Sequence, residues 1–172
     1  MSAARPDPVE GIPPWPVNGG KRWPKGDLRE GSNLIRVLIV DDQGPTRSLL
    51  ATLLSTDPQA HLVGDCSDGL DALRVAADQR PDVVLMDLDM PGMDGVTTTA
   101  RLRPVLPDTH VIIYTSTLSA LAHVAALRAG ACQVLTKDAS PVQILSAVHA
   151  CGTSAHPAGR GTQPTRLASD PG

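Results

Sequence analysis

The sequence has no phenylalanine and a single tyrosine, and aromatic residues make up 2% of its 172 positions. Its core must therefore be filled by Leu, Val, Ile and Ala. Cysteine is scarce: Cys66, Cys132 and Cys151 are odd in number and show no paired spacing. Without a secretion signal at the N-terminus, this pattern predicts free thiols in a reducing cytoplasm. No apolar run approaches the ~20 residues of a membrane-crossing helix. A basic excess is also missing. Net charge is -3, and between Leu34 and Ala150 there are 8 Lys and Arg against 13 Asp and no Glu, hence -5. That excludes the electrostatic footprint of a nucleic-acid binder and suits a cation site better. The histidines (His61, His110, His123, His149 and His156) lack ligand spacing and read as structural or exposed.

What is present is a set of apolar runs that end in chemistry. Val83-Val84-Leu85-Met86 runs straight into Asp87, and Met90-Pro91-Gly92 then turns the chain away. Such a run reads as a strand buried on both faces, with Asp87 at its C-terminal end. Ile35 to Val40 ends in a second acidic cluster, Asp41-Asp42. His110 to Tyr114 ends at Thr115-Ser116, and Cys132 to Thr136 ends at Lys137. If the first and third strands are neighbours, their acids share one pocket. Clustered carboxylates repel unless a cation sits among them, and an all-oxygen donor set suits Mg²⁺. Metal, carboxylate nucleophile, hydroxyl and ammonium are the parts phosphoryl transfer requires.

These residues resemble the receiver domain of bacterial two-component response regulators, over roughly Leu34 to Ala150. The resemblance implies that Asp87 accepts a phosphoryl group from a sensor histidine kinase. It implies that Asp41 and Asp42 hold Mg²⁺ together with Asp87 and the backbone carbonyl of Asp89. It also implies that Thr115 and Lys137 contact the phosphoryl group. The run Leu135-Thr136-Lys137-Asp138-Ala139-Ser140 looks most like receivers joined to helix-turn-helix output domains. Val134 departs from the pattern, standing where many receivers carry an aromatic whose rotation reports activation. Gln43 and Asp89 occupy positions that tune aspartyl-phosphate lifetime in the family.

Read in order, residues 1–33 hold 6 Pro and 5 Gly and form an expected disordered extension, with Trp15 and Trp23 as a candidate docking motif. Residues 34–150 form the expected receiver, and 151–172 an expected disordered tail with no output domain. Leu49, Leu50, Leu53 and Leu54 form an apolar stripe on the first helix. The second helix spans Leu70 to Gln79 with Leu70, Leu73 and Ala77 inward. The third, Val96 to Arg103, contains Thr97-Thr98-Thr99, poor helix material, and ends before Pro104. The fourth runs from Leu118 to Ala129, and Ser140-Pro141 starts the fifth. Alternating strands and helices predict a doubly wound, five-stranded parallel sheet of flavodoxin-like order 2-1-3-4-5 with five helices. Its switch point lies between strands one and three, which brings Asp41, Asp42 and Asp87 together.

Two alternatives carry other functions. Asp87-x-Asp89 after an apolar strand also fits a haloacid-dehalogenase-like phosphatase, although that motif belongs on a first strand with acids downstream. The chain could also be a transcriptional regulator lacking its DNA-binding part. The favoured expectation is a phosphoacceptor rather than a turnover enzyme. Its output would pass through helix four, strand five and helix five to a second copy or a downstream protein, without nucleic acid or membrane.

Overall fold

The computed structural model describes residues 34–116 and 119–155, so the expected disordered extension with Trp15 and Trp23, Leu118, and the expected tail from residue 156 onward lie outside the described residues. Strands and helices alternate throughout: β1 (Ile35–Val40), α1 (Gly44–Ser55), β2 (Ala60–Cys66), α2 (Gly69–Gln79), β3 (Val83–Met86), α3 (Gly95–Val105), β4 (His110–Thr115), α4 (Ala120–Ala129), β5 (Gln133–Thr136) and α5 (Pro141–Ala155). The sheet order is β2-β1-β3-β4-β5, with every neighbouring pair parallel. This is the flavodoxin-like order the alternation predicts. Among the described residues, no helix is long and apolar enough to cross a membrane.

The period-2 geometry of strands divides the core in two. Leu38, Val40, Val84, Met86, Val111 and Ile113 face a cluster completed by Ala72, Ala76, Leu102 and Ala126 from α2, α3 and α4. Val37, Ile39, Val83, Leu85, Ile112 and Tyr114 face the opposite cluster, with Leu50 and Leu54 of α1 and Ile144, Ala147 and Val148 of α5. Both faces of the central strands are covered, which is why they read as continuous apolar runs.

The helices depart from the sequence reading in instructive ways. On α1, Leu50 and Leu54 are buried while Leu49 is 64% exposed. On α2, Gly69, Ala72 and Ala76 face the core, while Leu70 and Ala77 are exposed and Leu73 is only partly covered. A leucine stripe marks the inward face only where the helix stands off far enough to admit it; small residues let α2 lie closer. On α3, Thr98 and Thr99 are fully buried, and their hydroxyls donate to the Asp94 and Gly95 carbonyls, each at 2.7 Å. Those bonds satisfy the hydroxyls inside the helix. Pro104 lies inside the last turn rather than beyond it, and the helix closes with Leu106 N–H donating to Leu102 O at 2.8 Å. The fifth helix continues past Ala150 to Ala155.

The expectation of free thiols is corrected at two of three positions. Cys132 and Cys151 are joined as a disulfide, and Cys66 alone is free. Their separation of 19 residues is unremarkable in sequence, and only the packing of α5 on the sheet brings them together.

Candidate functional site

Backbone hydrogen bonds extend the sheet past the strand ends and so place the functional side chains. Val40 pairs with Met86 in register, and one residue on, Asp87 N–H donates to Val40 O at 2.8 Å. Asp41 N–H donates to Cys66 O at 3.0 Å. On the other side, Thr115 pairs with Thr136, and Lys137 N–H donates to Thr115 O at 2.8 Å. Acids, hydroxyl and lysine therefore line one edge of the sheet at its switch point, where open α/β sheets bind ligands.

The chain leaves this edge by a turn that only glycine permits. A Cβ on Gly95 would lie 2.0 Å from Asp87 O and 3.0 Å from Leu88 Cα. Helix α3 thus starts directly behind Asp87. Asp94 caps it, its carboxylate accepting from Thr97 N–H at 2.6 Å.

Asp41, Asp42 and Asp87 each bring a carboxylate oxygen into a group whose members lie within 4.8 Å of one another. Asp41 and Asp87 are buried and Asp42 is exposed, so the group opens toward solvent on the Asp42 side. Lys137 Nζ donates to Asp87 Oδ2 at 2.9 Å and lies 2.8 Å from Asp41 Oδ2. The second contact is an ion pair at the same close range. Asp87 Oδ1 is buried and has no hydrogen-bond partner. One lysine thus faces two buried carboxylates, and Asp87 Oδ1 stays without a hydrogen-bond partner.

The electrostatics follow from this count. Burial pushes the Asp87 carboxyl above its ordinary range, and the neighbouring Asp41 charge adds to that. The Lys137 bond and the Asp89 backbone N–H oppose the shift without cancelling it. Burial works against the Lys137 ammonium, but the Asp41 and Asp87 carboxylates outweigh it and hold the group above the ordinary lysine range. A small dication among these oxygens would supply the missing charge, and the all-oxygen donor set is the kind Mg²⁺ takes. The residues present fit it.

Asp41, Asp42, Asp87, Asp89, Thr115 and Lys137 all lie at this edge or beside it. Thr115 is fully buried at the end of β4. Asp89 is exposed, and its contribution visible here is the backbone N–H toward Asp87. Two supporting residues were missed. Arg47 donates from Nη1 to Asp41 O at 2.6 Å and from Nε to Asp65 Oδ2 at 3.1 Å, pinning the loop that carries the acid pair. Its signal was a cation in the first turns of a helix, against the dipole, just after two acids. Tyr114 donates its hydroxyl to Lys137 O at 3.3 Å from the α1/α5 side of the sheet. Its signal was position: the only tyrosine, immediately before Thr115.

Fold and site together define an α/β domain with a strand-end carboxylate, an acidic group able to hold a cation, and a lysine in the same pocket. The sequence profile of the response regulator receiver domain matches residues 37–149, and the chain belongs to that family. It is 37% identical over 117 residues to the transcriptional regulatory protein LiaR of Bacillus subtilis, covering 68% of this chain and 56% of that protein. It is 37% identical over 149 residues to a protein-glutamate methylesterase/protein-glutamine glutaminase of Nocardioides, covering 76% of this chain and 40% of that one. The chain thus spans about half or less of the length of these relatives. Among solved structures, the response regulator domain of Thermotoga maritima CheB superposes with a TM-score of 0.65 at 30% identity, covering 70% of this chain and 97% of that domain.

Proposed function

We propose that the chain is a phosphoacceptor. Asp87 takes a phosphoryl group from the phosphohistidine of a sensor kinase, or from a small phosphodonor, and the change is passed to a protein partner. The observation that carries this reading is Asp87 itself: a buried carboxylate with one oxygen bonded to Lys137 and the other without a hydrogen-bond partner. A carboxylate oxygen without a hydrogen-bond partner, beside the exposed Asp42, is available as a nucleophile.

Asp41 and Asp42, with Asp87 and the Asp89 carbonyl, would hold Mg²⁺. When bound, Mg²⁺ neutralises charge on the transferring phosphoryl group. Asp87 Oδ1 attacks phosphorus, and the phosphorus–nitrogen bond to the donor histidine breaks. The histidine leaves with the electron pair and takes up a proton. Lys137 turns from Asp87 Oδ2 to the new phosphoryl oxygens, and Thr115 donates its hydroxyl to them. Arg47 and Tyr114 hold the main chain of Asp41 and Lys137 in place during this exchange.

Output is proposed to pass through the α4–β5–α5 face rather than through nucleic acid or turnover of an outside substrate. Leu121, Val124 and Leu127 of α4 and Val142 of α5 are all exposed, Leu121 by 80%. Helices α4 and α5 precede and follow β5, the strand that runs into Lys137. The phosphatase alternative has less support, because Asp87 follows β3 and not the first strand, with the acid pair upstream, directly after β1. Incubation with acetyl phosphate and Mg²⁺, read by intact mass, tests the proposal. One phosphoryl adduct is expected, and none for Asp87→Asn. An adduct of equal yield in that variant would overturn it.

A further inference from the structure

The cysteine pair lies outside the acidic pocket and has no part in the chemistry above. Cys132 is exposed, immediately before β5, and its N–H donates to Val111 O at 2.8 Å. Cys151 is buried in the α5 turns, in the cluster with Ile35, Ala147 and Val148. The two Cα atoms are 6.9 Å apart, within reach of a disulfide. The helix is seated firmly here for another reason. A Cβ on the next residue, Gly152, would lie 2.5 Å from Ile35 Cγ2, so α5 touches β1 directly. Cys151 is therefore presented to Cys132 by packing that exists with or without the bond.

We propose that Cys132 and Cys151 form a reversible thiol–disulfide site. Its oxidised form ties the C-terminal turns of α5 to the start of β5, the strand whose far end carries Lys137. In a reducing compartment disulfides are mostly transient and redox-sensing, and Cys132 is the exposed end of this one. A small-thiol reductant such as glutathione attacks the exposed Cys132 Sγ as thiolate. The Cys132–Cys151 bond breaks, and Cys151 leaves as a thiolate that takes up a proton. A second small thiol then releases Cys132 from the mixed disulfide. The protein gains two electrons and two protons, and two small thiols become one small disulfide. Reduced, Cys151 remains a small apolar core residue, so both forms keep the fold. Oxidised, the β5–α5 unit is closed at the end opposite the pocket. Movement of α5 against β5 is then restrained. The consequence for signalling rests on the phosphoacceptor reading, whereas the thiol chemistry does not.

The full chain is incubated with oxidised glutathione or with dithiothreitol, then denatured, alkylated and weighed. One alkylated cysteine is expected after oxidation, Cys66, and three after reduction. Native hydrogen exchange of the α5 C-terminal turns should be slower in the oxidised form, and Cys132→Ser should abolish the difference. Three adducts after oxidation, covalent dimers between chains, or equal exchange in the two forms would each overturn the proposal. Absence of phosphorylation at Asp87 leaves these readouts untouched and bears only on the phosphoacceptor reading.

Discussion

At the scale of single residues, the pocket is a charge imbalance held in place. Lys137 meets two buried carboxylates, and both partners of the bond to Asp87 are displaced upward in pKa. For Asp87 the sign is informative. A carboxyl raised on folding favours the folded state below the ordinary carboxylate range, and that benefit is lost as pH rises through the raised value. Asp87→Asn, which cannot ionise, should therefore match wild type at low pH and become the more stable of the two as pH rises toward neutrality. Urea unfolding of both proteins across that range, without divalent cations, checks this. A gap that narrows with pH would contradict it. Lys137→Ala removes a cation that competes for the same oxygens. Mg²⁺ affinity by titration should be unchanged or higher, and weaker binding would mean that Lys137 supports the metal site.

At the scale of elements, the strand ends were legible because buried parallel strands are written as apolar runs and their terminal residues stand out. The helix faces were less so. Thr97-Thr98-Thr99 scores poorly by propensity, yet Thr98 and Thr99 are core residues whose hydroxyls close back onto the helix. Propensity measures an isolated helix and lacks that burial. Size and spacing point Leu70 and Ala77 inward, while the close seat of α2 selects Gly69, Ala72 and Ala76. The β3–α3 connection makes a sharper prediction. Gly95→Ala places a methyl group against the Asp87 carbonyl and should cost about 1–3 kcal/mol, as overpacking does, measured by thermal or urea unfolding. On the opposite side of the sheet, Tyr114→Phe keeps the ring and removes one bond to Lys137 O, a loss of about 1 kcal/mol. If Tyr114 positions Lys137, the variant should also phosphorylate more slowly from acetyl phosphate, beyond what its stability change explains.

At the scale of the whole molecule, one edge of the sheet carries the chemistry, and the α4 and α5 flank carries Leu121, Val124, Leu127 and Val142 exposed. The pocket was legible in the sequence because β1 and β3 flank the switch point, so strand order alone joins Asp41, Asp42 and Asp87. The disulfide was not legible, since pairing depends on how α5 lies on the sheet and 19 residues of separation say nothing about it. The roles of Arg47 and Tyr114 were only faintly signalled, because each holds a main-chain carbonyl whose position depends on the fold. If the α4–β5–α5 face is the output, beryllofluoride with Mg²⁺ should shift the chain toward a dimer or raise its affinity for a protein partner. Light scattering reads the first outcome, and Leu121→Asp should suppress it.

The central claim is that Asp87 is the residue phosphorylated, and site mapping tests it most directly. An aspartyl phosphate is an acyl phosphate, so borohydride converts the modified aspartate to homoserine. After treatment with acetyl phosphate and Mg²⁺, followed by borohydride and proteolysis, peptide mass spectrometry should find homoserine at position 87 and none at positions 41, 42 or 89. Homoserine at one of those other acids, with Asp87 unconverted, would contradict the account.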